Sequence, residues 1–140
     1  MPALKVVLDT NVWLDWLVFD DPAIAALRAA HSAGRIDIVI DEACEAELVQ
    51  VLAYDLGAHT LDASAQSACV ARCRALATRV SARAGGHLPA CRDPDDQKFL
   101  ELAAAAGAAV LVSRDQALLE LARRIDGVRI VTPERFEAPA

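Results

Sequence analysis

The chain has 140 residues, 55% of them hydrophobic and 24% charged, with a formal net charge of −6. That length suits a single domain over residues 1–140 with one core, and no apolar run approaches the roughly 20 residues of a membrane span. The N-terminal residues lead straight into a strand without an apolar signal region, so a cytoplasmic location and no membrane partner are expected.

Strand-like and helix-like stretches alternate along the whole chain, the pattern of a parallel sheet covered on both faces. A first strand, Leu4 to Asp9, leads through Thr10 and Asn11 into Val12–Phe19, a short helix that is apolar almost all round. Its Trp13, Trp16 and Phe19 must be covered, either by the core or by a second copy in a homodimer. Asp21-Pro22 opens a helix from Ala23 to about Ser32, which ends near Gly34. The strand Ile36–Asp41 then runs into a helix from Glu42 to about Tyr54. From about Asp62 to Ala84 the stripe Ala65, Cys69, Cys73, Leu76 and Val80 predicts one long helix, ended by Gly85-Gly86. There follow a helix from Pro94 to Ala106, a strand from Ala108 to Ser113, a helix from Gln116 to Arg124 and a strand from Val128 to Val131. Thr132-Pro133 predicts a capped, short last helix.

The cysteines, Cys44, Cys69, Cys73 and Cys91, form no C-x-x-C pair and read as buried free thiols. His31, His59 and His87 match no zinc spacing, so a metal here would be held by oxygen. Charge is unevenly spread: from Ala63 to Arg92 there are five arginines and no acid. Arg72, Arg79 and Arg83 in this arm are candidates for contact with RNA phosphates, against the plainer reading of a solvated helix face.

Five acids draw more attention. Asp9 and Asp115 fall at the carboxyl ends of predicted strands, where ligands bind in open α/β sheets. Thr10 or Asn11 can cap the first helix, which leaves Asp9 free for another task. On the helix Glu42–Tyr54 the 100° turn sets Glu47 in a buried arc with Cys44, Leu48, Val51 and Leu52, extended by Ala43 and Tyr54, and sends Glu42 and Glu45 toward water. A carboxylate on such an arc needs an arginine, a hydrogen bond or a metal. Capping and the helix dipole account for Asp93 and Asp95. Asp96 instead lies in the middle of the face that carries Phe99, Leu100, Ala103 and Gly107. Asp115 alone could be a cap. Gathered at one sheet edge, however, Asp9, Glu47, Asp96 and Asp115 repel one another unless protons or a cation intervene, and Mg²⁺ or Mn²⁺ is the economical solution.

Four segments in order, Val7–Val12, Glu45–Leu52, Cys91–Leu100 and Leu111–Asp115, resemble the motifs of the PIN domain nucleases. The ending Val128–Phe136 resembles that of the subgroup of toxin components of bacterial toxin-antitoxin pairs. The resemblance implies a three-layer α/β/α sandwich with a central, mainly parallel sheet. It also implies a Mg²⁺- or Mn²⁺-dependent endoribonuclease, with RNA as substrate and a small antitoxin protein as partner. Asp9, Glu47, Asp96 and Asp115 match the family's catalytic and metal-holding acids, Asp93 matches an acid of the subgroup, and Asn11 and Ser113 match polar residues that position the acids. An RNA-processing nuclease outside a toxin pair and a noncatalytic binding module with an acidic pocket stand as alternatives. Phosphoryl-acceptor enzymes fit poorly, because Asn11 replaces the second acid of an Asp-x-Asp start and Ser113-Arg114 lacks a receiver lysine.

Overall fold

The computed structural model describes residues 3–81 and 88–137. Five strands, β1 (Leu4–Leu8), β2 (Ile36–Ile40), β3 (Ala77–Arg79), β4 (Val110–Val112) and β5 (Arg129–Val131), form one sheet in the order β3-β2-β1-β4-β5. Every pairing is parallel. Six α-helices among the described residues complete an α/β/α sandwich: α1 (Thr10–Leu14), α2 (Ala25–Ser32), α3 (Glu42–Leu52), α4 (Ala63–Leu76), α5 (Gln97–Ala106) and α6 (Gln116–Leu119). Val6, Val7 and Leu8, Ile38, Val39 and Ile40, and Val110, Leu111 and Val112 are all buried. These unbroken apolar runs belong to strands covered on both faces, where alternation is not needed.

The chain starts in the middle of the sheet. β2 and β3 are added on one side of β1, β4 and β5 on the other, so the strand order reverses between β1 and β4. At such a switch point the loops leaving the two strands diverge, and a crevice opens at their carboxyl ends. Asp9 and Ser113 are the first residues beyond β1 and β4.

The long helix expected to reach Ala84 stops at Leu76. Ala77 is extended, at φ −110° and ψ 146°, and β3 follows, with Ala77 opposite Ile38 and Arg79 opposite Ile40. The backbone polar groups on the outer side of β2 need partners, and β-branched Thr78 and Val80 suit a strand; the Val80 N–H donates to Ile40 O at 2.9 Å. Gly85-Gly86 and Arg83 lie outside the described residues. The apolar segment after Asp9 is also not one helix. α1 gives way to a wider, π-helical turn, Asp15–Phe19, which Asp20 closes in the left-handed region at φ 49°. Trp13 and Trp16 are buried in the core, whereas Phe19 is exposed and meets the edge of the His59 ring. Three further differences are smaller. Pro22–Ile24 forms a 3₁₀ turn before α2, α6 ends at Leu119, and Thr132 makes no side-chain cap to the turn Pro133–Arg135.

Glu45 reverses its expected orientation. It is 5% exposed, because α4 and β3 close over it: Arg74 Nη2 lies 2.7 Å from Oε1 and Arg79 Nη1 3.3 Å from Oε2. Ala43 on the same helix is exposed, as is Tyr54, which lies beyond the end of the helix. Breaking a buried ion pair costs about 3–5 kcal/mol. Both arginines are more than half exposed, so the double variant Arg74→Ala/Arg79→Ala is expected to lose about 2 kcal/mol. A urea midpoint equal to that of the parent chain would show that water suffices for Glu45.

Candidate metal centre

Asp9 is 3% exposed and both of its carboxyl oxygens are engaged. Oδ1 accepts the Val12 N–H at 2.9 Å, so Asp9 itself, and not Thr10 or Asn11, caps α1; Oδ2 accepts the Ser113 hydroxyl. Capping and a role at the sheet edge are therefore compatible. Ser113, fully buried, also accepts the Asp115 N–H at 2.9 Å through the same Oγ, and Asp115 Oδ1 caps α6 at Ala117 N. One hydroxyl thus fixes two acids from the ends of adjacent strands.

Arg114, between them, faces three carboxylates. Its Nη1 lies 3.0 Å from Asp15 Oδ2 and 3.7 Å from Asp21 Oδ2, and its Nη2 3.1 Å from Glu134 Oε1. This guanidinium ties the end of β4 to the turn after α1 and to the turn after β5.

The third group comes from the loop before α5. Asp93 Oδ1 accepts the Asp95 N–H at 3.0 Å and starts the 3₁₀ turn Pro94–Asp96, from which α5 continues. Gln97 pins this loop, accepting from Cys91 N at 2.6 Å and donating to Pro89 O at 3.2 Å. The turn brings one carboxyl oxygen each of Asp93, Asp96 and Asp115 within 4.8 Å of one another. Asp93, which capping alone could explain in the sequence, both caps the turn and belongs to this cluster. Asp96 Oδ2 is enclosed and finds no hydrogen-bond donor among the described residues.

Such crowding leaves an electrostatic signature. Burial pushes the Asp9 carboxyl up to about 6, against the hydrogen bonds from Ser113 and Val12, and the charges of Asp115 and Asp15 add to the rise. Burial also raises Asp96, reinforced by its hydrogen bond with Asp115 and by the charges of Asp115, Asp93 and Asp9. The same hydrogen bond lowers Asp115. Carboxyls crowded in this way hold a place that a cation can take. An enclosed oxygen without a donor, beside two more carboxylates, fits a hard divalent ion, which takes oxygen ligands.

Glu47 stands at the rim of this cluster. Its Oε1 is 2.7 Å from Lys98 Nζ, its Oε2 accepts the Thr10 hydroxyl, and both charged side chains are about a quarter exposed. Asn11 is exposed and makes no side-chain hydrogen bond among the described residues, so the polar contact at this point comes from Thr10, which is buried. Lys98 and Thr10 are the residues that sequence reasoning missed. A lysine in the first turn of a helix opposes the dipole, and that was the available sign that Lys98 has a partner elsewhere. Arg72 Nη1 donates to Leu17 O at 3.1 Å, and Arg79 lies on the edge strand rather than on a helix.

No curated protein matches the chain in a comparison with known sequences. The family model of the PIN domain matches residues 5–117, a span that runs from β1 into α6 and includes Asp9, Glu47, Asp93, Asp96 and Asp115. With most of its length matched, the chain belongs to the PIN domain family.

Proposed function

We propose that this protein is a Mg²⁺- or Mn²⁺-dependent endoribonuclease and the toxin component of a toxin-antitoxin pair. The observation that carries the nuclease reading is the carboxylate cluster Asp93, Asp96 and Asp115 with its donor-free Asp96 oxygen. Membership of the PIN domain family points to the same chemistry. These three acids would hold the ion, with Asp9 beside them through Ser113. When bound, the ion would lower the pKa of water and neutralise charge on the phosphoryl oxygens.

The chain's own residues supply orientation. Ser113 holds Asp9 and Asp115 in register, Gln97 fixes the loop that carries Asp93 and Asp96, and Lys98 with Thr10 holds Glu47. No side chain is needed as a nucleophile. The arginine arm, Arg72, Arg79 and Arg83, would contact RNA phosphates with whatever donors its internal partners leave. An antitoxin would silence the site by placing basic side chains in the acidic crevice, which suits a cytoplasmic pair; a homodimer is compatible with this arrangement.

The purified chain is expected to cut single-stranded RNA internally with Mn²⁺ or Mg²⁺ and to stop when EDTA is added, as followed on a denaturing gel. RNA left intact with both ions removes the nuclease reading and favours the noncatalytic module. The toxin assignment is tested separately, by whether the product of a small adjacent reading frame co-purifies with the chain and inhibits cutting. Cutting without such a partner leaves the RNA-processing role.

A further inference from the structure

The two ends of the acidic crevice are furnished differently. Asp96 Oδ2 is enclosed and receives no donor among the described residues. Both oxygens of Glu47 are already served, one by the Lys98 ammonium and the other by the Thr10 hydroxyl. Asp93, Asp96 and Asp115 can share an ion, but Glu47 is not part of that group. Among the described residues the enclosed Asp96 oxygen has no basic partner, whereas Glu47 has the Lys98 ammonium.

Lys98 is not a casual surface partner. Its side chain is 22% exposed, its Nζ also donates to Asp95 O, and the ammonium sits 5.2 Å from the centroid of the buried Phe99 ring. A side chain held at three points has lost most of the freedom that makes exposed lysine pairs weak. An ammonium carries three donors, and the two described acceptors leave one for a ligand entering from the open side. A divalent ion seeking Glu47 would have to displace this charge or sit beside it against like-charge repulsion.

We propose that Lys98 takes the place of a second metal ion at Glu47. The chain then works with a single divalent ion at Asp93, Asp96 and Asp115, and Lys98 supplies the second positive charge, facing the phosphodiester. This rests on the nuclease reading of the acid cluster. Glu47 on this account is a positioning residue for Lys98 rather than a ligand of the first ion.

Mn²⁺ titration calorimetry, with electron paramagnetic resonance to count bound ions, tests the proposal on the folded chain. The parent protein is expected to bind one ion. Lys98→Gln, which frees Glu47, gains a second, weaker site, and Glu47→Gln keeps the single ion with affinity within about twofold. Asp96→Asn weakens that ion at least tenfold. Two ions in the parent protein, or no second ion in Lys98→Gln, overturns the Lys98 proposal while leaving the nuclease reading intact. Unchanged binding in Asp96→Asn defeats the metal centre itself. Lys98→Arg keeps the ion pair and serves as a folded control; if Lys98→Gln fails to fold, the ion count of the parent decides. On the Asp96→Asn background, where RNA stays uncut, adding Lys98→Gln is expected to flatten the log–log salt dependence of RNA binding by about 0.7, the value for one phosphate contact to a single strand. An unchanged slope removes the phosphate contact.

Discussion

Asp96→Asn is expected to lower kcat for RNA cutting by ~10³-fold or more, since an ion that polarises the phosphoryl group contributes several kcal/mol to the transition state. The same substitution is expected to raise the melting temperature of the metal-free chain at pH 8. Asp96 is one of three residues whose carboxyl oxygens lie within 4.8 Å of one another, and burial together with Asp115, Asp93 and Asp9 disfavours its ionised form. An amide of the same shape removes that repulsion. Loss of function with gain of stability separates a site residue from a scaffold residue, because a scaffold residue would lose both. A variant that keeps a rate within tenfold of the parent, or that melts earlier without metal, would place the chemistry elsewhere.

The second large effect is a stability that falls with rising pH when metal is absent. Asp9 is raised from 3.8 to about 6 by burial, and Asp96 is raised as well. A carboxyl whose folded pKa exceeds its unfolded one binds its proton more tightly in the folded chain, so its contribution is complete below about pH 4 and is lost as pH rises through the folded value. For Asp9 the loss is about 3 kcal/mol. Asp115, lowered by its hydrogen bond with Asp96, acts with the opposite sign, and its contribution is lost as pH falls. Above pH 5, then, Asp9 and Asp96 dominate. In EDTA the melting temperature should fall by roughly 10 °C between pH 5 and pH 8, and saturating Mn²⁺ should restore it at pH 8, because a ligand that binds only the folded chain stabilises it. A flat profile in EDTA would mean that the carboxyl cluster already has a partner.

Much of the architecture is written in local sequence, and the parts that are not have identifiable causes. The apolar runs that became β1, β2 and β4 could hardly be anything but strands buried on both faces. β3 was illegible because only three residues form it and two of those, Thr78 and Arg79, are exposed; its identity depends on the unpaired side of β2, more than thirty residues earlier in the chain. Glu45 and Glu47 show the same limit within one helix. Period alone sent Glu47 inward and Glu45 outward, but the arginines that bury Glu45 arrive from α4 and β3, elements whose packing no helical projection of α3 contains. At the site, Asp9, Asp115 and Ser113 could be placed because strand ends are easy to find. Asp93 could not be separated from a helix cap because it is one, and the cluster appears only when Asp115 is brought beside it. Lys98 gave little sign of itself, since lysines are usually found in water.

The hydroxyl bridge from Ser113 to Asp9 has a consequence for how the protein is made. Its two ends are separated by 104 positions in the chain, and Arg114 is further tied to Glu134, close to the last residue described. Chains emerge from the ribosome N-terminus first. A nascent molecule that already displays Asp9, Glu47 and even Asp96 still lacks the hydroxyl that holds Asp9 beside Asp115 until Ser113 has been made. The site would in this way stay unassembled until the segment that carries Ser113 has left the ribosome.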